Sequence, residues 1–152
     1  MPNDYKRFIE NYGTGVIGMK FFVENFLASP GEAKRHLAAY GEVYERLSSQ
    51  GPIIGEALSP DGRRLRDEFV DFPFRMFPAP NGLFPWGYAQ DRWNLYWRTE
   101  GQPDDWDVVA ICNLREFWCR YEGMGLVEFL VSMCRQPFLD GTKLVPVFKP
   151  IV

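Results

Sequence analysis

The chain has 152 residues, 46% of them apolar and 24% charged, a composition that fits one globular domain able to bury a core. Its 17 Lys and Arg against 20 Asp and Glu give a net charge of −3, a poor basis for gripping a phosphate backbone, so nucleic acid is not an expected partner. No apolar run approaches the roughly 20 residues that span a bilayer, and the start lacks a basic-then-apolar leader, so a cytoplasmic protein without membrane contact is expected.

In chain order, Tyr5, Phe8, Ile9 and Tyr12 recur at helical spacing and predict a short amphipathic helix over Asn3 to Tyr12. Asn3 is its expected cap, Asp4 suits its positive end, and Gly13 supplies the positive φ that ends it. Val16 to Phe22 reads as a strand. Ser29-Pro30-Gly31-Glu32 is a capping box with proline at the first helical position, and Ala33, Leu37, Tyr40, Tyr44 and Leu47 continue a helical stripe behind it. Ser48 to Asp71 mixes Gly, Pro and charge and reads as strand fragments and loop.

From Arg75 onward a sheet is expected, with strands at Leu83 to Tyr88, Asn94 to Arg98, Trp106 to Cys112 and Phe117 to Tyr121 joined as an antiparallel meander. After Asp107 both faces of the third of these are apolar, which predicts a central strand. Leu126, Phe129, Leu130 and Met133 mark a helix that Pro137 ends, and the tail from Thr142 to Val152 suits an edge strand because prolines are tolerated there. The expected architecture is therefore α+β: one domain over 1–152, with an antiparallel sheet of about five to six strands flanked by helices.

Residues suited to catalysis are sparse. The single histidine, His36, lies beside Lys34 and Arg35 on a polar helix face, and Cys112, Cys119 and Cys134 lack the paired spacing of a zinc or redox motif, so they read as small buried hydrophobes. Neither a metal nor an organic cofactor is expected. Asp104, Asp105 and Asp107 form the densest carboxylate cluster; paired acids can hydrolyse, but here they fall at a turn, where Asp bonds to nearby backbone amides. Arg63, Arg64 and Arg66 are offset by Asp67 and Glu68 and read as a solvated turn, and Gly13-Thr14-Gly15 follows a helix and precedes a strand, the reverse of a phosphate loop. Pro85-Trp86-Gly87 and Leu95-Tyr96-Trp97 are open to two readings, an aromatic binding groove or core.

Several segments together carry a resemblance. PNDYKRFIENYGTG (2–15), FPAPNGLFPWG (77–87), LYWRTEGQPDDW (95–106), VVAI (108–111) and GMGLVEFLVSM (123–133) resemble, in order and spacing, the SUKH superfamily, in the group named for fungal cell-wall-synthesis regulators. The chain departs from that pattern in two places. Asp91-Arg92-Trp93 stands where the family has an Asn-Gly-Asp-like turn, and the match starts without the family's additional amino-terminal helix, which is either absent or encoded upstream. The resemblance implies an α+β fold, no catalytic residues, and the role common among bacterial members: an immunity protein that binds and neutralises a toxin domain, often a nuclease.

The alternative is a regulatory or scaffold module for an endogenous protein. On the immunity reading, Asp91, Glu100, Asp104, Asp105 and Asp107 are expected to form an acidic rim around Trp93 and Tyr96 that steers a basic toxin. The oligomeric state is not legible in these residues.

Overall fold

The computed structural model describes residues 1–13, 15–17, 21–23, 52–58, 64–71, 73–89, 93–112, 117–135 and 148–150. They form helices α1 (Asn3–Tyr12) and α2 (Leu126–Arg135) and nine strands: β1 (Gly15–Ile17), β2 (Phe21–Val23), β3 (Pro52–Leu58), β4 (Arg64–Asp71), β5 (Leu83–Ala89), β6 (Trp93–Arg98), β7 (Asp107–Cys112), β8 (Phe117–Tyr121) and β9 (Phe148–Pro150). The strands make one sheet in the order β4-β3-β8-β7-β6-β5-β2-β1-β9. A central meander, β5 to β8, is thus flanked on one side by the β1–β2 hairpin and on the other by the β3–β4 hairpin.

The α+β architecture agrees with the expectation, and β7 lies inside the sheet with all six residues buried. The sheet is wider than five to six strands because two segments supply hairpins that apolar periodicity did not reveal. Val16 to Phe22 is two strands folded on each other, with Val16 opposite Phe22. Within Ser48 to Asp71, β3 pairs with β4 over its whole length, so Arg64 and Arg66 belong to a strand and not to a solvated turn. The sheet is also mixed, since β3 runs parallel to β8 while the other neighbouring pairs are antiparallel. The tail does add an edge strand, β9 on β1. The expected helix after Ser29 and His36 within it lie outside the described residues.

Side chains alternate across the pleat, so the two faces of the meander carry different cores. Trp93, Leu95 and Trp97 of β6 join Val108, Ala110 and Cys112 of β7 on the face covered by α1 and α2. Both readings of the aromatic segments are thereby decided in favour of core: Trp86, Leu95, Tyr96 and Trp97 are fully buried. Trp97 sits at the centre, its ring 4.8 Å from that of Tyr5, 6.0 Å from those of Phe84 and Trp106, and 6.3 Å from that of Trp86. The register of β5 slips between Pro85 and Gly87, which places Trp86 in a bulge and explains how a proline without an N–H is accommodated in an interior strand. Cys112 and Cys119 are buried free thiols of this core, as expected, and Cys134 is partly buried.

On the opposite face, Tyr96, Val109, Ile111 and Trp118 are covered by the segment before β5, whose Phe74 meets Trp118 edge to face at 5.0 Å. That segment folds back on itself through Leu83 N–H to Arg75 O (2.7 Å) and Phe77 N–H to Leu83 O (2.9 Å). Gly55 on β3 is required here, because a Cβ at that position would lie 1.8 Å from Cε2 of the Trp118 indole. No helix among the described residues is long and apolar enough to cross a membrane.

Candidate functional site

Between β6 and β7 the chain makes an exposed turn that contains a 3₁₀ helix, Pro103–Asp105. Gly101 takes a φ of 78°, Asp105 N–H donates to Gln102 O at 2.8 Å, and the Trp106 indole N–H donates to Gly101 O at 3.3 Å. Glu100, Asp104 and Asp105 are all exposed on this turn.

Its position is fixed by α1. The backbone N–H of Asn3 donates to Asp104 Oδ1 at 2.7 Å and the Asn3 side-chain amide donates to Oδ2 at 2.8 Å. Asn3 was expected to cap α1 with its own side chain; instead the cap position is Pro2, which makes no side-chain bond, and a carboxylate about a hundred residues away satisfies a first-turn N–H. A negative charge there also suits the helix dipole. The amino group of Met1 has its pKa lowered, first by burial and then by the charge of Lys6, with Asp104 acting in the opposite direction.

Asp4 serves α2 as well as α1. Its Oδ1 accepts from Tyr5 N–H at 2.7 Å, and its Oδ2 accepts from Val127 N–H at 3.1 Å, a free donor in the first turn of α2. This contact sets the two helices side by side and leaves a shallow groove of about 270 Å³ between them, lined by Asp4, Arg7, Phe8, Asn11, Tyr12 and Val127. Tyr12 is 54% exposed, Val127 36% and Val131 45%, and the two valines share a face of α2 one turn apart. The surface along α1 therefore meets the acidic turn at its beginning, carries the exposed Lys6 and Arg7 in its middle and is apolar at its end.

The expected rim is only partly assembled. Glu100, Asp104 and Asp105 come together on the turn. Trp93 and Tyr96 do not join them: both are buried, and their odd and even places in β6 put them on opposite faces of the sheet. Asp107 is a buried member of β7, its side chain 5% exposed, with Oδ2 accepting from Arg120 Nη2 at 2.9 Å, Arg120 Nε at 3.1 Å and Gly123 N–H at 3.2 Å. Its Oδ1 faces Arg98 Nε at 3.4 Å. Arg98 also pairs with Glu100, and Arg120 with Glu122 at 3.3 Å. Asp91 lies outside the described residues.

Sequence reasoning missed Arg98 and Arg120 as partners of Asp107, and it missed the groove. The signal for the first was present, since an antiparallel β6–β7 hairpin places Arg98 opposite Asp107. The groove had no such signal, because Tyr12 and Val127 meet only after the chain closes. Among the described residues no three His, Cys, Asp or Glu side chains gather at metal-binding distance. No protein-family model matches the chain, and no curated protein and no solved structure matches it either.

Proposed function

We propose that this chain is a non-enzymatic immunity protein of the SUKH type that acts in the cytoplasm by binding a toxin domain and covering its active site or substrate path. The observation that carries the reading is the surface along α1, where Asp104 ties the acidic turn of Glu100, Asp104 and Asp105 to Asn3 at the start of the helix, and Phe8 with the exposed Tyr12, Val127 and Val131 forms an apolar strip farther along. Apolar anchors supply binding energy in a protein interface, and an acidic edge raises the rate of encounter with a basic partner such as a nuclease. The acidic edge is preorganised, because Asn3 already holds Asp104 with two hydrogen bonds and little order has to be created on binding.

The test is capture from a native lysate with the tagged full chain, at low and high salt, with the partner identified by mass spectrometry. A toxin domain held at one-to-one stoichiometry, with slower association at high salt, is the expected result. A housekeeping protein as the stoichiometric partner would replace this reading with that of a regulatory or scaffold module.

A further inference from the structure

The face of the sheet opposite the two helices carries a depression of about 420 Å³, lined by Phe74, Arg75, Asn81, Arg98, Trp118 and Arg120 together with two prolines. Its volume lies within the roughly 300–1,000 Å³ of small-molecule pockets. Three guanidinium groups contribute to the wall, and no carboxylate does among the described residues.

The acids that balance these arginines stand behind or outside the wall. Asp107 is buried beneath it and holds both Arg98 and Arg120, which brings two guanidiniums side by side. Glu100 and Glu122 engage the same two arginines from more exposed positions, with side chains 50% and 27% accessible, where solvent screens their charge. A guanidinium has five N–H donors. Arg98 uses two of them, on Asp107 and Glu100, and Arg120 uses three, on Asp107 and Glu122, so each retains donors for a ligand. Arg75 is exposed and enters no ion pair with the described residues. Asn81, held at a φ of 58°, adds a side-chain amide at the rim.

We propose that this depression binds a phosphate group, either free or as the ester of a small organic molecule, through Arg75, Arg98 and Arg120. The guanidinium fork fits carboxylates and phosphates alike. A phosphate monoester presents three terminal oxygens and close to two negative charges, which match three guanidiniums lining one depression better than the two oxygens and single charge of a carboxylate. Asp107 is a positioning residue: it fixes two arginines before the ligand arrives, so less side-chain order is lost on binding. This inference does not rest on the immunity reading, because the three arginines that would hold the ligand lie outside the α1 surface, although Glu100 of the acidic turn pairs with one of them.

Calorimetric titration of the full chain with inorganic phosphate, adenosine monophosphate and adenosine tests it, beside Arg75→Gln, a change at an exposed side chain whose fold is checked by circular dichroism. Both phosphate-bearing probes should bind saturably, adenosine should not, and Arg75→Gln should weaken binding at least about tenfold, the equivalent of one charge-assisted hydrogen bond. Equal affinity for the two phosphate probes assigns the site to the free anion, and tighter binding of the monophosphate assigns it to an ester; both outcomes support the proposal. Absence of binding by both phosphate probes, or equal binding by Arg75→Gln and the unaltered chain, would overturn it.

Discussion

Asp104 has two roles that substitution can separate. It offers an exposed charge to a partner, and it accepts from the first turn of α1. Asp105, one residue on, is exposed and makes no side-chain hydrogen bond with the described residues. Asp104→Ala should therefore destabilise the fold by about 1 kcal/mol, the usual scale of a lost helix cap. Asp105→Asn should stay within about 0.5 kcal/mol of the unaltered chain, as surface changes generally do. Urea unfolding distinguishes the two, and equal midpoints for Asp104→Ala and the parent chain would show that the Asn3 contact contributes nothing to stability. The acid character of this turn was plain in QPDD, but which acid is structural was not. Asp107 reads in the chain as one more member of the cluster; it differs only because β7 begins there, which points it inward at Arg98 and Arg120.

At the scale of elements, legibility followed burial. The meander, α1 and α2 were readable because each sets apolar residues against a buried face, and the edge strand at the tail because its prolines are tolerated at an edge. The β3–β4 hairpin was not. Arg64–Asp71, RLRDEFVD, is rich in charge because β4 forms one edge of the sheet, where unpaired backbone is commonly guarded by charged side chains, and that guarding erases the alternation that marks an interior strand. Gly55 in β3, within the stretch that reads as strand fragments and loop, is a packing requirement. Gly55→Ala should cost toward the upper end of the roughly 1–3 kcal/mol seen for overpacked cores, because its Cβ collides with Trp118. The same change should cost much less beside Trp118→Leu, where the indole is gone. Identical costs in the two backgrounds would show that the contact is not what demands glycine.

The described residues form one sheet with helices on one face and a folded segment on the other, and each face carries its own core. The helix-side core includes Tyr5 and Tyr121 among its apolar side chains. The other contains Tyr96, whose hydroxyl accepts from the Asn94 side-chain amide at 3.3 Å. Burial raises the pKa of Tyr96 well above that of a free phenol, and the Asn94 hydrogen bond offsets only part of the shift. Above pH about 10, where an unfolded tyrosine ionises, the unfolded chain gives up a proton that the folded chain retains. Stability should then fall by up to about 1.4 kcal/mol per pH unit from this group alone, a loss absent below that range. Tyr96→Phe should flatten this alkaline limb, and an unchanged slope in that variant would assign it to other groups.

The position of the α1 surface relative to the sheet also bears on function, since the helices lie on one face and the arginine-lined depression on the other, the acidic turn touching the latter only through the Glu100–Arg98 ion pair. Fold class and the acidic turn were legible in the chain; the apolar strip beside that turn was not, because it joins α1 and α2 across more than a hundred residues. The central claim is that this surface binds a toxin domain and silences it. The most direct measurement is growth of cells expressing the toxin domain captured by the chain, alone or together with the chain or with a folded Tyr12→Asp, Asp105→Lys double variant. The account predicts growth arrest by the toxin alone, growth restored by the unaltered chain, and arrest again with the double variant. Equal rescue by the double variant would remove this surface from the interface, and arrest despite ample folded, unaltered chain would contradict the immunity role itself.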